Sequence, residues 1–183
     1  MAQLREIVAA LGHAEVSTYI QSGNVLFTPR QAGVAVTRNA DSRERETGDA
    51  ELAVGLERAL AGGMGVQARV VVLSREELAR AVHDNPYPGE ANPRLLHAVF
   101  LPGTAAPELG GWVADAQRQA RAKGGRDEAQ ILGRTVYLRT PDGYGRSELA
   151  MLFTKAGGPT SARVAGTARN WATVTKLLEL CGG

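Results

Sequence analysis

The sequence predicts an α+β fold made of two ferredoxin-like (β-α-β-β-α-β) halves, the first lacking its opening strand, with a helix added at the C-terminus. Three observations lead there. A helix–hairpin–helix order occurs twice along the 183 residues, hydrophobic residues make up 44% of them, and no apolar run approaches the ~20 residues of a membrane span. Residues 1–73 form the first half and residues 74–183 the second, with a linker helix between them.

Leu4, Ile7, Val8 and Leu11 recur at helical spacing, and Gly12 follows as a C-terminal stop. Val16 to Gln21 is rich in β-branched and aromatic residues, Ser22-Gly23-Asn24 is turn chemistry, and Val25-Leu26-Phe27 follows, so a hairpin is expected. Residues 29–50 show no apolar period and read as a long loop. Leu52, Leu56, Ala59 and Leu60 make a helical stripe that ends at Gly62-Gly63. Val66 to Leu73 is nearly continuous apolar sequence and reads as a buried strand.

Ser74-Arg75-Glu76-Glu77 is a capping box that opens a helix over 75–84, stopped by Asn85-Pro86. Leu95 to Leu101 is the next strand. Thr104 is the expected cap of a helix whose inner face is Leu109, Trp112, Val113, Ala116 and Ala120. Gly110 and Gly111 weaken that helix by about 1 kcal/mol each relative to Ala, so packing must hold it. Glu128–Leu132 and Thr135–Arg139 flank Gly133-Arg134 as a second hairpin. Leu149, Leu152, Phe153 and Ala156 mark a helix, a short closing strand is expected over Thr160–Val164, and Asn170 is the expected cap of the last helix.

Three stretches carry a resemblance: Thr18 to Phe27, Val136 to Ser147, and Thr167 to Leu177. Their Tyr-Ile-Gln-Ser-Gly-Asn and Arg-Asn-Trp-x-Thr-Val-x-Lys-Leu strings resemble the bacterial domain-of-unknown-function family 1697. The resemblance implies an uncharacterised α+β protein and no assigned reaction. Two departures stand out. Family members usually begin with a strand and an Arg-Gly-Ile-Asn-Val-Gly-Gly loop, whereas this sequence opens inside the first helix. They also usually carry Lys after the serine of the Gly-x-Gly-x-Ser segment, where Glu148 stands here.

Composition narrows the function classes. The only cysteine is Cys181, and the N-terminal residues have an early acid and no apolar core of a secretory signal, so a cytoplasmic setting is expected. Residues 1–117 hold 10 Lys/Arg and 14 Asp/Glu, while residues 118–183 hold 11 and 5. That asymmetry points to an anionic partner of the second half or to a merely solvated face. His13, His83 and His97 are far apart and no metal spacing, phosphate loop or dinucleotide fingerprint occurs, so no metal and no cofactor are expected. His97, inside an apolar strand, reads as a satisfied core histidine.

The candidate ligand-binding residues are Gln21, Ser22, Asn24, Tyr144, Arg146, Ser147, Arg169, Asn170, Trp171 and Lys176. Gly143 to Ser147 opens a helix whose free N–H groups favour an anion, or is a plain turn with Ser147 as cap. Arg169-Asn170-Trp171 offers a guanidinium fork, an amide and a flat ring, or a cap, a core ring and an ion pair. Gln21, Ser22 and Asn24 also serve as turn residues. The expectation is that Arg146, Ser147, Arg169, Asn170 and Trp171 line one anion-binding cleft. The function expected is binding of a small anionic or nucleotide-like ligand. The alternatives are an enzyme on a small polar metabolite, using Tyr144, Ser147, Arg169 or Lys176, and a structural or interaction module. Nucleic acid is the weaker partner expectation, a membrane is not expected, and the oligomeric state is open.

Overall fold

A computed structural model describes residues 1–20, 23–30, 42–154 and 166–182. The chain is α+β, with small antiparallel sheets and helices in two compact units, Met1–Val72 and Leu73–Gly183.

The first unit contains α1 (Ala2–Ala10), β1 (Ala14–Tyr19), β2 (Asn24–Thr28) and α2 (Ser42–Met64). β1 and β2 form the expected hairpin, antiparallel with Tyr19 opposite Asn24. Ile20 leaves β1 with φ 51°, a left-handed backbone that β-branched residues rarely adopt. Val8 of α1 and Ala53, Leu56 and Leu60 of α2 are buried. α1 lies close on α2 at Gly63, where an added Cβ would sit 2.8 Å from Ile7 Cδ1. Gln3 Nε2 donates to the Gly63 carbonyl there at 2.9 Å.

Three expectations fail in this unit. Residues 42–50 are helix rather than loop, because Arg and Glu are good helix formers whether or not they carry an apolar period. The helix also runs through Gly62-Gly63 to Met64, and Gly65, at φ 67°, follows it. Residues 65–73 form no strand and are not buried, with Val66 44% exposed. An apolar run becomes a strand only beside a partner, and among the described residues the sheet here holds β1 and β2. The Val70 N–H bonds instead to Glu57 Oε1 at 2.9 Å.

The second unit contains α3 (Arg75–His83), β3 (Leu96–Phe100), α4 (Pro107–Ala122), β4 (Glu128–Leu132), β5 (Thr135–Arg139), a 3₁₀ turn (Tyr144–Arg146), α5 (Glu148–Thr154), β6 (Thr167–Asn170) and α6 (Trp171–Leu180). The capping box forms as expected: Glu77 N–H donates to Ser74 Oγ at 3.2 Å, and Ser74 N–H donates to Glu77 Oε2 at 2.8 Å. α4 starts at Pro107 rather than at a Thr104 cap, because proline at the first helical position needs no N–H partner. The expected strand Thr160–Val164 lies outside the described residues. The closing strand that the structure does describe is β6.

The sheet order is β4-β5-β3-β6, all antiparallel, with β3 central. From β3 to β6 the elements run β-α-β-β-α-β, compatible with a ferredoxin-like unit. All of β3 is buried, so both faces of the sheet are covered. One face carries Val99, Val136, Leu138 and Ala129 against Leu109 and Val113 of α4 and Leu149 and Ala150 of α5. The other carries Tyr137, whose hydroxyl donates to the Ala81 carbonyl of α3 at 2.8 Å. Among the described residues, no helix is long and apolar enough to cross a membrane.

Candidate functional site

β3 is the central strand, and its alternation places His97, Val99 and Leu101 on the α4–α5 face. Across the ladder His97 lies opposite Leu138 of β5 and Asn170 of β6. Tyr144 packs on the same core, with its ring 4.0 Å from the His97 ring between centroids and tilted by 32°.

His97 is not the satisfied core histidine expected from sequence. It is 9% exposed, yet its Nδ1 has no hydrogen-bond partner among the described residues. The Tyr144 hydroxyl is likewise buried and unpartnered. An unsatisfied buried polar group costs about 1–3 kcal/mol, so two on adjacent rings are a local weakness in the core; the Tyr87 hydroxyl is a third such atom among the described residues. Burial pushes the His97 imidazole down to about 4 and the Tyr144 phenol up. Both groups are therefore uncharged near neutral pH.

The chain reaches Tyr144 through a tight turn. Gly143 N–H donates to the Thr140 carbonyl at 2.9 Å, and Gly143 has φ 95°, which a side chain would strain. Arg126 holds Asp142 on this turn, with Nε to Oδ2 at 3.2 Å, and keeps the Asp142 carboxyl below its ordinary range. Arg146 is exposed, two residues after Tyr144. Ser147 is buried, and its Oγ accepts the Ala150 N–H at 2.9 Å as the cap of α5.

The other expected residues are more dispersed. Asn170 caps α6, its Oδ1 accepting the Ala172 N–H at 3.0 Å. Arg169 lies opposite Ala98, so alternation turns it to the face away from His97. Its Nη1 donates to Thr167 Oγ1 at 2.6 Å and to the Ala168 carbonyl at 2.8 Å, and burial lowers its pKa. Trp171 stands 6.2 Å from Tyr137, ring to ring. Lys176 pairs with Glu179 at 2.8 Å on α6. Asn24 belongs to the first unit, where its Nδ2 donates to the Tyr19 carbonyl at 3.3 Å. Gln21 and Ser22 lie outside the described residues. Tyr144 and Asn170 are thus related through His97, the one residue here that the sequence pattern did not nominate.

The family model described as a protein of unknown function, DUF1697, matches residues 1–137. The chain belongs to this family. Among solved structures, this DUF1697 chain is similar to the conserved bacterial protein SP0830 from Streptococcus pneumoniae. The identity is 21%, the match covers 99% of this chain and 88% of that one, and the TM-score is 0.59, a likeness of fold. The comparison with curated proteins gave no match. The DUF1697 match includes His97 and ends before the Tyr144 turn.

Charge is arranged differently from its distribution along the sequence. The first unit of this DUF1697 chain holds 7 Lys/Arg and 8 Asp/Glu, and the second holds 14 and 11. Arg118, Lys123, Arg126, Arg134, Arg139 and Lys176 are ion-paired, Lys123 with Glu148 at 2.9 Å. Three of these partners, Asp115, Glu77 and Glu90, lie before residue 118, so they meet half of the basic excess of six that follows residue 117. A shallow cavity of about 250 Å³ lies between α4 and β4, lined by Gly110, Val113, Ala114, Gln117, Ala129 and Ile131 rather than by the expected cleft residues.

Proposed function

We propose that this is a cytoplasmic binding protein for a small anionic or nucleotide-like ligand, which it takes up at the His97–Tyr144 pair of the second unit. The observation that supports the reading is the pair of unpartnered polar atoms, His97 Nδ1 and Tyr144 Oη, on rings 4.0 Å apart. A ligand that bonds to them removes a cost the free protein carries. Exposed Arg146 on the same turn supplies a cation for the ligand's charge. An enzyme reading has less behind it, because a catalytic histidine is oriented through its second nitrogen and His97 Nδ1 has no such partner.

A ligand that binds the native state raises its melting temperature. A thermal-shift panel of nucleotides and sugar phosphates is expected to yield at least one compound that raises the melting temperature of the wild-type protein in a dose-dependent way. If no member of the panel does so, the reading is wrong.

A further inference from the structure

We infer that the part of the ligand meeting His97 and Tyr144 is an uncharged, flat ring edge carrying both a hydrogen-bond donor and an acceptor, as a nucleobase does, while its anionic part stays at the surface near Arg146. This rests on the binding reading above and narrows it.

Neutral imidazole presents either a donor or an acceptor at Nδ1, and a phenol can do both. No described arginine or lysine is bonded to either atom. A phosphate or carboxylate placed against them would lose its water without gaining a counter-charge, whereas a neutral amide-like edge would not. Burial depresses the imidazole pKa and raises the phenol pKa, in keeping with an uncharged site. Asn170, opposite His97 in the ladder, adds a further uncharged polar residue to that register. The tilted rings offer aromatic surface on which a flat heterocycle stacks.

Entry requires the turn to move, since both atoms are shielded from solvent. Tyr144 lies between Gly143 and Gly145, and an added Cβ at either glycine would meet nothing within 4 Å. The two glycines allow the ring to swing off His97 without pulling core side chains with it.

Isothermal titration calorimetry on the full chain, with nucleosides, nucleoside monophosphates and ribose 5-phosphate, tests this. At least one nucleoside monophosphate is expected to bind ten times or more tightly than ribose 5-phosphate, and the parent nucleoside to retain part of that advantage. Tyr144→Phe keeps the ring and removes the hydroxyl. It is expected to weaken the nucleotide tenfold, leave ribose 5-phosphate unchanged, and raise the melting temperature of the free protein. A merely structural tyrosine would not separate the two ligands. As a second readout on the wild-type protein, the His97 Nδ1 resonance should move with the nucleotide and not with ribose 5-phosphate. If ribose 5-phosphate binds as tightly as the best nucleotide and Tyr144→Phe weakens both alike, the inference is overturned while anion binding stands. If no compound binds, both fall.

Discussion

Arg134 and Glu77 meet as a guanidinium–carboxylate pair, Nη1 to Oε1 at 2.9 Å, with side chains 11% and 22% exposed. The pair ties the turn between β4 and β5 to the first turn of α3, and one carboxylate serves two purposes. Glu77 Oε2 closes the capping box on Ser74, while Oε1 receives the arginine, whose Nε also donates to the Leu101 carbonyl at 3.0 Å.

Glu77→Ala is therefore expected to lose the box and strand a mostly buried arginine, at a cost of about 2–4 kcal/mol in urea unfolding. Glu77→Gln, which keeps the box geometry, should cost less. A double-mutant cycle of Glu77→Ala with Arg134→Ala should return a coupling of about 1 kcal/mol or more. A coupling near zero would show that the pair adds nothing beyond the cap.

His97 makes stability depend on acid. Its pKa is about 4 in the folded chain against about 6.5 in an unfolded one, so between those values the unfolded state binds more protons. Stability should be unaffected by this group above pH 6.5 and fall as pH drops from 6.5 to 4. The loss is on the order of 2–3 kcal/mol, after which the group contributes no further change. His97→Leu should flatten that portion of the curve. An unchanged slope in the variant would show that carboxylates account for it.

Ile20 sits at φ 51° and is 48% exposed, so its backbone strain is not repaid by burial. Ile20→Asn keeps a side chain that tolerates the left-handed region. It is expected to stabilise the protein by about 0.5–1 kcal/mol, read as a higher denaturation midpoint with an unchanged slope. A loss of stability would show that the isoleucine makes contacts worth more than the strain.

Ser147 and Asn170 each satisfy a helix-start N–H, those of Ala150 and Ala172. Ser147→Ala and Asn170→Ala should each cost about 1 kcal/mol, with Ser147 the costlier because it is almost fully buried. Equal and negligible effects would mean that water replaces both caps.

Features written in short-range chemistry were legible in the sequence. Gly133-Arg134 between two apolar runs gave the second hairpin, and Ser74 with Glu77 gave the start of α3. Asn170 was readable as a cap for the same reason. The run Val66 to Leu73 was misread because an apolar stretch does not say whether a neighbour exists to pair with it. The start of α2 was missed because its first residues carry charge rather than period. For the site, Tyr144 could be nominated from its place beside glycines, whereas His97 could not. Whether a buried nitrogen finds a partner depends on which distant side chains arrive around it, and no local pattern records that.

The stretch Val70-Val71-Val72, which belongs to no described strand, has a consequence for handling the protein. It is rich in β-branched residues and low in charge, and it belongs to a unit whose sheet has two strands among the described residues. Such segments recruit copies of themselves when chains meet, adding strands edge to edge. Concentration, more than heat, should then limit the shelf life of a sample. Light scattering should grow more steeply than in proportion to protein concentration, and Val71→Lys should suppress that growth without lowering the melting temperature.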